Sequence, residues 1–134
     1  MKISVLGLGY VGLPLAAAIA KLTKHNVLGY DIDSSKVNSI KQGISPIDDE
    51  QCAKDLKEIT LNVSDESASI DNTDIFIVCV PTPVLDDYMP DLTPVIGAVT
   101  EVCNHLQKGN VIIIESTINP GVCDEVLIPL VEEL

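Results

Sequence analysis

The feature that most constrains this chain is Gly7-Leu8-Gly9-Tyr10-Val11-Gly12, a G-x-G-x-x-G standing directly after the apolar run Lys2–Leu6. Glycines at that spacing turn a strand into a helix within a few residues. Gly7 permits the tight turn. Gly9 lacks the Cβ that would bar a pyrophosphate from the backbone, and Gly12 lets the helix pack close to the strand. The helix expected over residues 11–22 carries Val11, Leu15, Ile19 and Leu22 on one face. Its first turn, with Tyr10 and Val11, offers free N–H groups and the positive end of the helix dipole to an anion. The motif alone is weak; its context gives it meaning. A second apolar strand is expected over residues 27–30, and Asp31 closes it, 19 residues after Gly12. An acid there accepts hydrogen bonds from the ribose hydroxyls of an adenosine and repels a 2′-phosphate, which favours NAD over NADP. Asp33 is the competing acid, but it already belongs to the turn.

The rest of the chain continues the alternation. Helices are expected over residues 34–42 and 50–59, with a loop between them at 44–49, and a short strand over 60–63. Residues 74–80, Asp-Ile-Phe-Ile-Val-Cys-Val, form the clearest strand; it is apolar on both faces, as a central parallel strand must be. A loop with three prolines follows over residues 81–91. Thr93 is then expected to cap a helix whose first residue is Pro94. Val111–Ile114 reads as a fifth strand, 115–121 as a turn and 122–134 as a last helix. Strands alternating with helices predict an α/β fold, a Rossmann-type doubly wound parallel sheet in a single domain ending after strand five and its helix.

Composition narrows the function. Eight basic and 20 acidic residues leave a net charge of −12, which excludes nucleic acid and anionic membrane as natural partners. Residues 3–20 carry no charge and resemble a signal peptide or a marginal span. Three glycines and a proline interrupt them, where the dinucleotide motif needs them, so the targeting reading is set aside. Cys52, Cys79, Cys103 and Cys123 show no metal-pair spacing, so no metal is expected; they read as reduced packing residues of a cytoplasmic protein. His25 and His105 have no partner at useful spacing and read as surface residues.

Five blocks, in order, carry a family resemblance: residues 7–16 (Gly-Leu-Gly-Tyr-Val-Gly-Leu-Pro-Leu-Ala), Gly29-Tyr30-Asp31-Ile32-Asp33, Val80-Pro81-Thr82-Pro83, Pro90-Asp91-Leu92-Thr93 and Glu115-Ser116-Thr117-Ile118-Asn119-Pro120-Gly121. Together they resemble the NAD-binding part of the UDP-glucose/GDP-mannose dehydrogenase family. The resemblance implies oxidation of C6 of a nucleotide-linked hexose from alcohol to carboxylate with two NAD per turnover, feeding surface polysaccharide synthesis. It implies that Gly7, Gly9, Tyr10, Val11 and Gly12 hold the pyrophosphate and Asp31 the ribose, with Lys36 near the adenosine. Val80, Pro81 and Thr82 would line the cofactor's path. Ser116 and Thr117 would reach the nicotinamide, and the Thr117 hydroxyl would help orient the catalytic water.

The pattern leans toward the members acting on UDP-N-acetylhexosamines. The family's nucleophilic cysteine, and its catalytic lysine, asparagine and aspartate, lie in later segments. The chain is therefore expected to be the cofactor-binding piece of a homo-oligomeric enzyme, inactive by itself and without its central and C-terminal substrate domains. Two other readings stand beside this one: a β-hydroxyacid-type dehydrogenase, and a non-enzymatic NAD-binding regulatory module.

Overall fold

Strand β1 (Lys2–Leu6) lies at the centre of the sheet because both of its faces are apolar or satisfied. Ile3 and Val5 point to one side and Leu6 to the other. Ser4 shares the second side, where its hydroxyl lies 2.7 Å from that of Thr73, fully out of water. A computed structural model describes residues 1–134. Its other strands are β2 (Asn26–Tyr30), β3 (Asn62–Ser64), β4 (Ile75–Val78) and β5 (Val111–Ile114). All pair in parallel, in the order β3-β2-β1-β4-β5. The chain leaves β1 toward β2 and later returns to β4 on β1's other side. The order thus reverses between β1 and β4, which opens a crevice at their carboxyl ends.

The helices are α1 (Gly12–Leu22), α2 (Ser34–Lys41), α3 (Glu50–Glu58), α4 (Thr93–Cys103) and α5 (Ile128–Glu133). Leu13 and Ala16 of α1, Val37 and Ile40 of α2 and Leu56 of α3 pack with Ile3, Val5 and Ile77 on one face. On the other face Val102 of α4 meets Leu6, Phe76 and Val78. Val95 and Val99 of α4 meet Leu127 and Val122 further along. Burial on both faces is the main source of stability for such a sheet.

Three sequence expectations are corrected. Strand β4 is shorter than residues 74–80, because its ladder with β1 ends at the Leu6–Val78 pair, where the glycine loop turns away. Thr93 does not cap α4. It is the first helical residue, and its N–H donates to Asp91 Oδ1 at 2.9 Å. The Asp91 carboxylate, two residues back, reaches the exposed amide. The Thr93 hydroxyl bonded to that carboxylate, with the Thr93 N–H second, holds Asp91 below the usual range. The last helix is not uniform: Cys123–Leu127 forms a π turn before α5. Pro129 has no N–H to return to a carbonyl, and a wider turn just before it relieves the mismatch.

Candidate functional site

The glycine loop sits at the crevice. Gly7 has φ +93°, and a Cβ there would lie 2.9 Å from the Cys79 carbonyl group and the Val80 nitrogen. Gly12 is tighter still: a Cβ would fall 1.7 Å from the Gly7 carbonyl oxygen and 3.0 Å from Cys79 Cβ. These two glycines serve the chain's own packing. Gly9 differs, because a Cβ there meets no protein atom within 4 Å. Helix α1 closes its first bond from the Leu13 N–H to the Gly9 carbonyl, 3.1 Å. The N–H groups of Gly9, Tyr10, Val11 and Gly12 have no backbone acceptor. Tyr10 and Val11 are exposed, so this open turn faces solvent. Its free amides and the dipole of an 11-residue helix suit a pyrophosphate.

Asp31 is buried, yet both carboxylate oxygens are used. Oδ2 accepts from the Leu8 N–H at 2.8 Å and Oδ1 from the Asp33 N–H at 2.9 Å. The acid therefore ties the glycine loop to the turn after β2. Each oxygen keeps acceptor capacity toward the crevice. Lys36 Nζ lies 3.9 Å from Asp31 Oδ2, the one cation at this end. Asp33 is committed elsewhere. It caps α2, accepting from the Ser35 N–H at 2.9 Å and the Ser35 hydroxyl at 2.6 Å. The Ser35 hydroxyl, then the Lys36 N–H, holds its carboxyl below the usual range. That division of labour separates the two acids that the sequence left in competition.

Across the crevice, the loops after β4 and β5 are stitched together. The Thr82 hydroxyl donates to the Thr117 carbonyl at 2.7 Å. The Ser116 hydroxyl donates to the Val80 carbonyl at 2.8 Å. The Thr117 side chain stays exposed. A cavity of about 400 Å³ runs from the glycine loop to this pair of loops. Gly7, Gly9, Tyr10, Val11, Asp31, Lys36, Val80, Pro81, Thr82, Ser116 and Thr117 all line it, with Gly12 packed beneath. Cys79 lies in its floor. Burial first, then the Glu115 charge, pushes this thiol up to about 11, so it is no nucleophile near neutral pH.

A second cavity of about 590 Å³ adjoins the first and shares Gly7, Asp31, Lys36, Val80 and Pro81 with it. It was missed from the sequence. Ile32 on its rim is 85% exposed, and one face of α4, with Pro94, Gly97, Ala98 and Glu101, forms a wall. Two signals were legible: an isoleucine between two aspartates, and a glycine inside a helix, where it costs about 1 kcal/mol against alanine. The reading of His105 as a surface residue is also corrected. Its ring is mostly buried, with Nδ1 2.5 Å from Asp71 Oδ1, and Nε2 2.9 Å from Ser67 Oγ and 3.3 Å from Glu101 Oε1. Asp71 and Ser67 lie more than 30 positions away in sequence, so local spacing could not reveal them.

Residues 1–134 match the UDP-glucose/GDP-mannose dehydrogenase family, NAD binding domain. A UDP-N-acetyl-D-glucosamine 6-dehydrogenase of Pseudomonas aeruginosa is 38% identical over 99% of this chain and 31% of its own length. The solved structure of the UDP-D-ManNAc dehydrogenase of Pyrococcus horikoshii superposes with a TM-score of 0.93 at 37% identity, over 99% of this chain and 32% of that one. A ternary complex of GDP-mannose dehydrogenase from P. aeruginosa superposes at 0.91, with 30% identity and the same coverage. The chain spans about a third of the length of these relatives.

Proposed function

The chain belongs to the UDP-glucose/GDP-mannose dehydrogenase family, in the part that is its NAD binding domain, and from this premise we propose that the crevice holds one extended NAD molecule for the oxidation of a nucleotide sugar. The observation that carries this reading is the Gly9 cradle: space that no protein atom fills, faced by four N–H groups without acceptors. Those amides would hold the pyrophosphate. Asp31 would accept from the adenosine ribose, with its carboxylate already aimed by Leu8 and Asp33. The cavity beside α4 would take the adenine. Ser116 and Thr117, fixed through Val80 and Thr82, would border the nicotinamide, with the Thr117 hydroxyl free to orient water. When bound, NAD supplies the hydride acceptor.

The parent enzyme would oxidise C6 of a UDP-N-acetylhexosamine from alcohol to carboxylate. That change removes two hydrides and adds one water, hence two NAD per turnover. The relatives' names and the block pattern support this substrate class over UDP-glucose. The four unpaired cysteines fit a reducing cytoplasm, and no helix is long and apolar enough to cross a membrane. The 134-residue chain should bind NAD yet form no NADH from UDP-N-acetylglucosamine or UDP-glucose, since the lysine, asparagine and aspartate that the family uses in catalysis have no counterpart in its crevice and its one crevice thiol is held protonated. NADH formation by the pure chain would contradict that.

Self-association of the 134-residue chain belongs to the same reading. Strand β5 is a sheet edge, with Val111 49% and Ile113 37% exposed. Such an edge, free of lysine and proline, recruits another strand. Sedimentation of the 134-residue chain should show concentration-dependent dimers; a monomer at every concentration would contradict this.

A further inference from the structure

Glu101 stands where the cavity beside α4 ends, and nothing in the crevice chemistry so far uses it. It sits one helical turn beyond Gly97, on the same face of α4. At Gly97 a Cβ would meet no protein atom outside the helix's own backbone within 4 Å, so the wall there is bare backbone beside open space. Four residues of helix advance about 6 Å, roughly the reach of a planar base laid against that wall. Glu101 is also unusually well fixed for a helix-surface acid. Oε1 is met by the Ser67 hydroxyl and by His105 Nε2. His105 is braced in turn by Asp71. The bonds to this carboxylate all end on Oε1, which leaves Oε2 without a partner. The side chain is 28% exposed, and Tyr30 lines the same cavity, where burial first and then the Glu101 charge push its phenol up.

We propose that Glu101 selects the base of the bound dinucleotide, its Oε2 accepting a hydrogen bond from the 6-amino group of adenine. This rests on the cofactor reading above and adds to it a specificity-determining contact. The chemistry favours adenine because a carboxylate only accepts, and adenine's exocyclic nitrogen only donates. A base with a carbonyl oxygen at that position would set two acceptors against each other. Ser67 and His105 act as positioning residues, since both meet Glu101 Oε1 and neither lines the cavity.

The test titrates the 134-residue chain by calorimetry with NAD and with nicotinamide hypoxanthine dinucleotide, which carries oxygen in place of the 6-amino group. The wild type should bind the hypoxanthine form at least about tenfold more weakly, as expected for a lost hydrogen bond to a charged acceptor. In Glu101→Gln the two affinities should come within about threefold, because a carboxamide can either donate or accept. Glutamine can still accept from Ser67, and circular dichroism checks the fold. Equal wild-type affinities would overturn the proposal by themselves, whether or not the variant folds. A folded Glu101→Gln that keeps full discrimination would overturn it too. Binding of neither dinucleotide would overturn the cofactor reading, and this contact with it.

Discussion

Gly9→Val should abolish NAD binding, lowering affinity at least about a hundredfold, or about 2.7 kcal/mol, while the chain folds as before. The added Cβ meets no protein atom within 4 Å, so the free chain has room for it. It would fill the volume that a pyrophosphate needs to reach the N–H groups of Gly9, Tyr10, Val11 and Gly12. Gly12→Val should do the reverse. Its Cβ would collide at 1.7 Å with the Gly7 carbonyl oxygen and press on Cys79 Cβ at 3.0 Å. Neither neighbour can yield, because Gly7 is locked against the end of β4 and Cys79 is buried. A stability loss of at least about 3 kcal/mol is expected, the upper end of ordinary overpacking. Thermal denaturation and NAD titration of both variants separate the cases. Undiminished binding by Gly9→Val would mean that the loop does not cradle the phosphates.

Asp31→Ala should weaken both the fold and the cofactor complex. In the free chain it strips the buried Leu8 N–H of its acceptor and releases the turn at Asp33. A buried donor left unsatisfied costs about 1–3 kcal/mol. In the complex it removes the acceptor of the ribose hydroxyls, and with it the repulsion of a 2′-phosphate, so NAD should lose affinity while NADP loses little. Chemical denaturation reads the first effect and titration with both dinucleotides the second. A variant as stable as the wild type would show that the Leu8–Asp31 bridge contributes nothing. An unchanged NAD to NADP ratio would remove Asp31 from the ribose site.

Much of this was legible in the sequence because it is local. The glycine motif, the strand before it, the helix after it and the acid ending β2 fall within the first 31 residues, and each implies its neighbours. The both-face apolar run of β4 announced a parallel sheet, and the order β3-β2-β1-β4-β5 followed. What escaped depends on distant partners. Asp31 was read as a ligand group alone, but its bond to Leu8 spans 23 positions and makes it a structural clamp as well. The Ser67–His105–Glu101 cluster joins the turn before β4 to α4, which periodicity cannot connect. The α4 wall escaped as well: Val95, Val99 and Val102 are buried on one face of the helix, while Gly97 and Glu101 border the cavity on the opposite face, beside residues from β2 and the loop after β4 that only the fold brings near. The length of β4 and the start of α4 were decided by single hydrogen bonds at element ends, where propensity says least.

The central claim is that this chain carries an NAD-selective half-site at the switch point of its sheet. Calorimetric titration of the wild-type chain with NAD and with NADP tests it most directly. NAD should bind with micromolar to millimolar affinity. NADP should bind at least about tenfold more weakly, a difference of more than about 1.4 kcal/mol set by the buried Asp31 carboxylate. Equal affinity for the two dinucleotides, or no binding of either, would contradict the account.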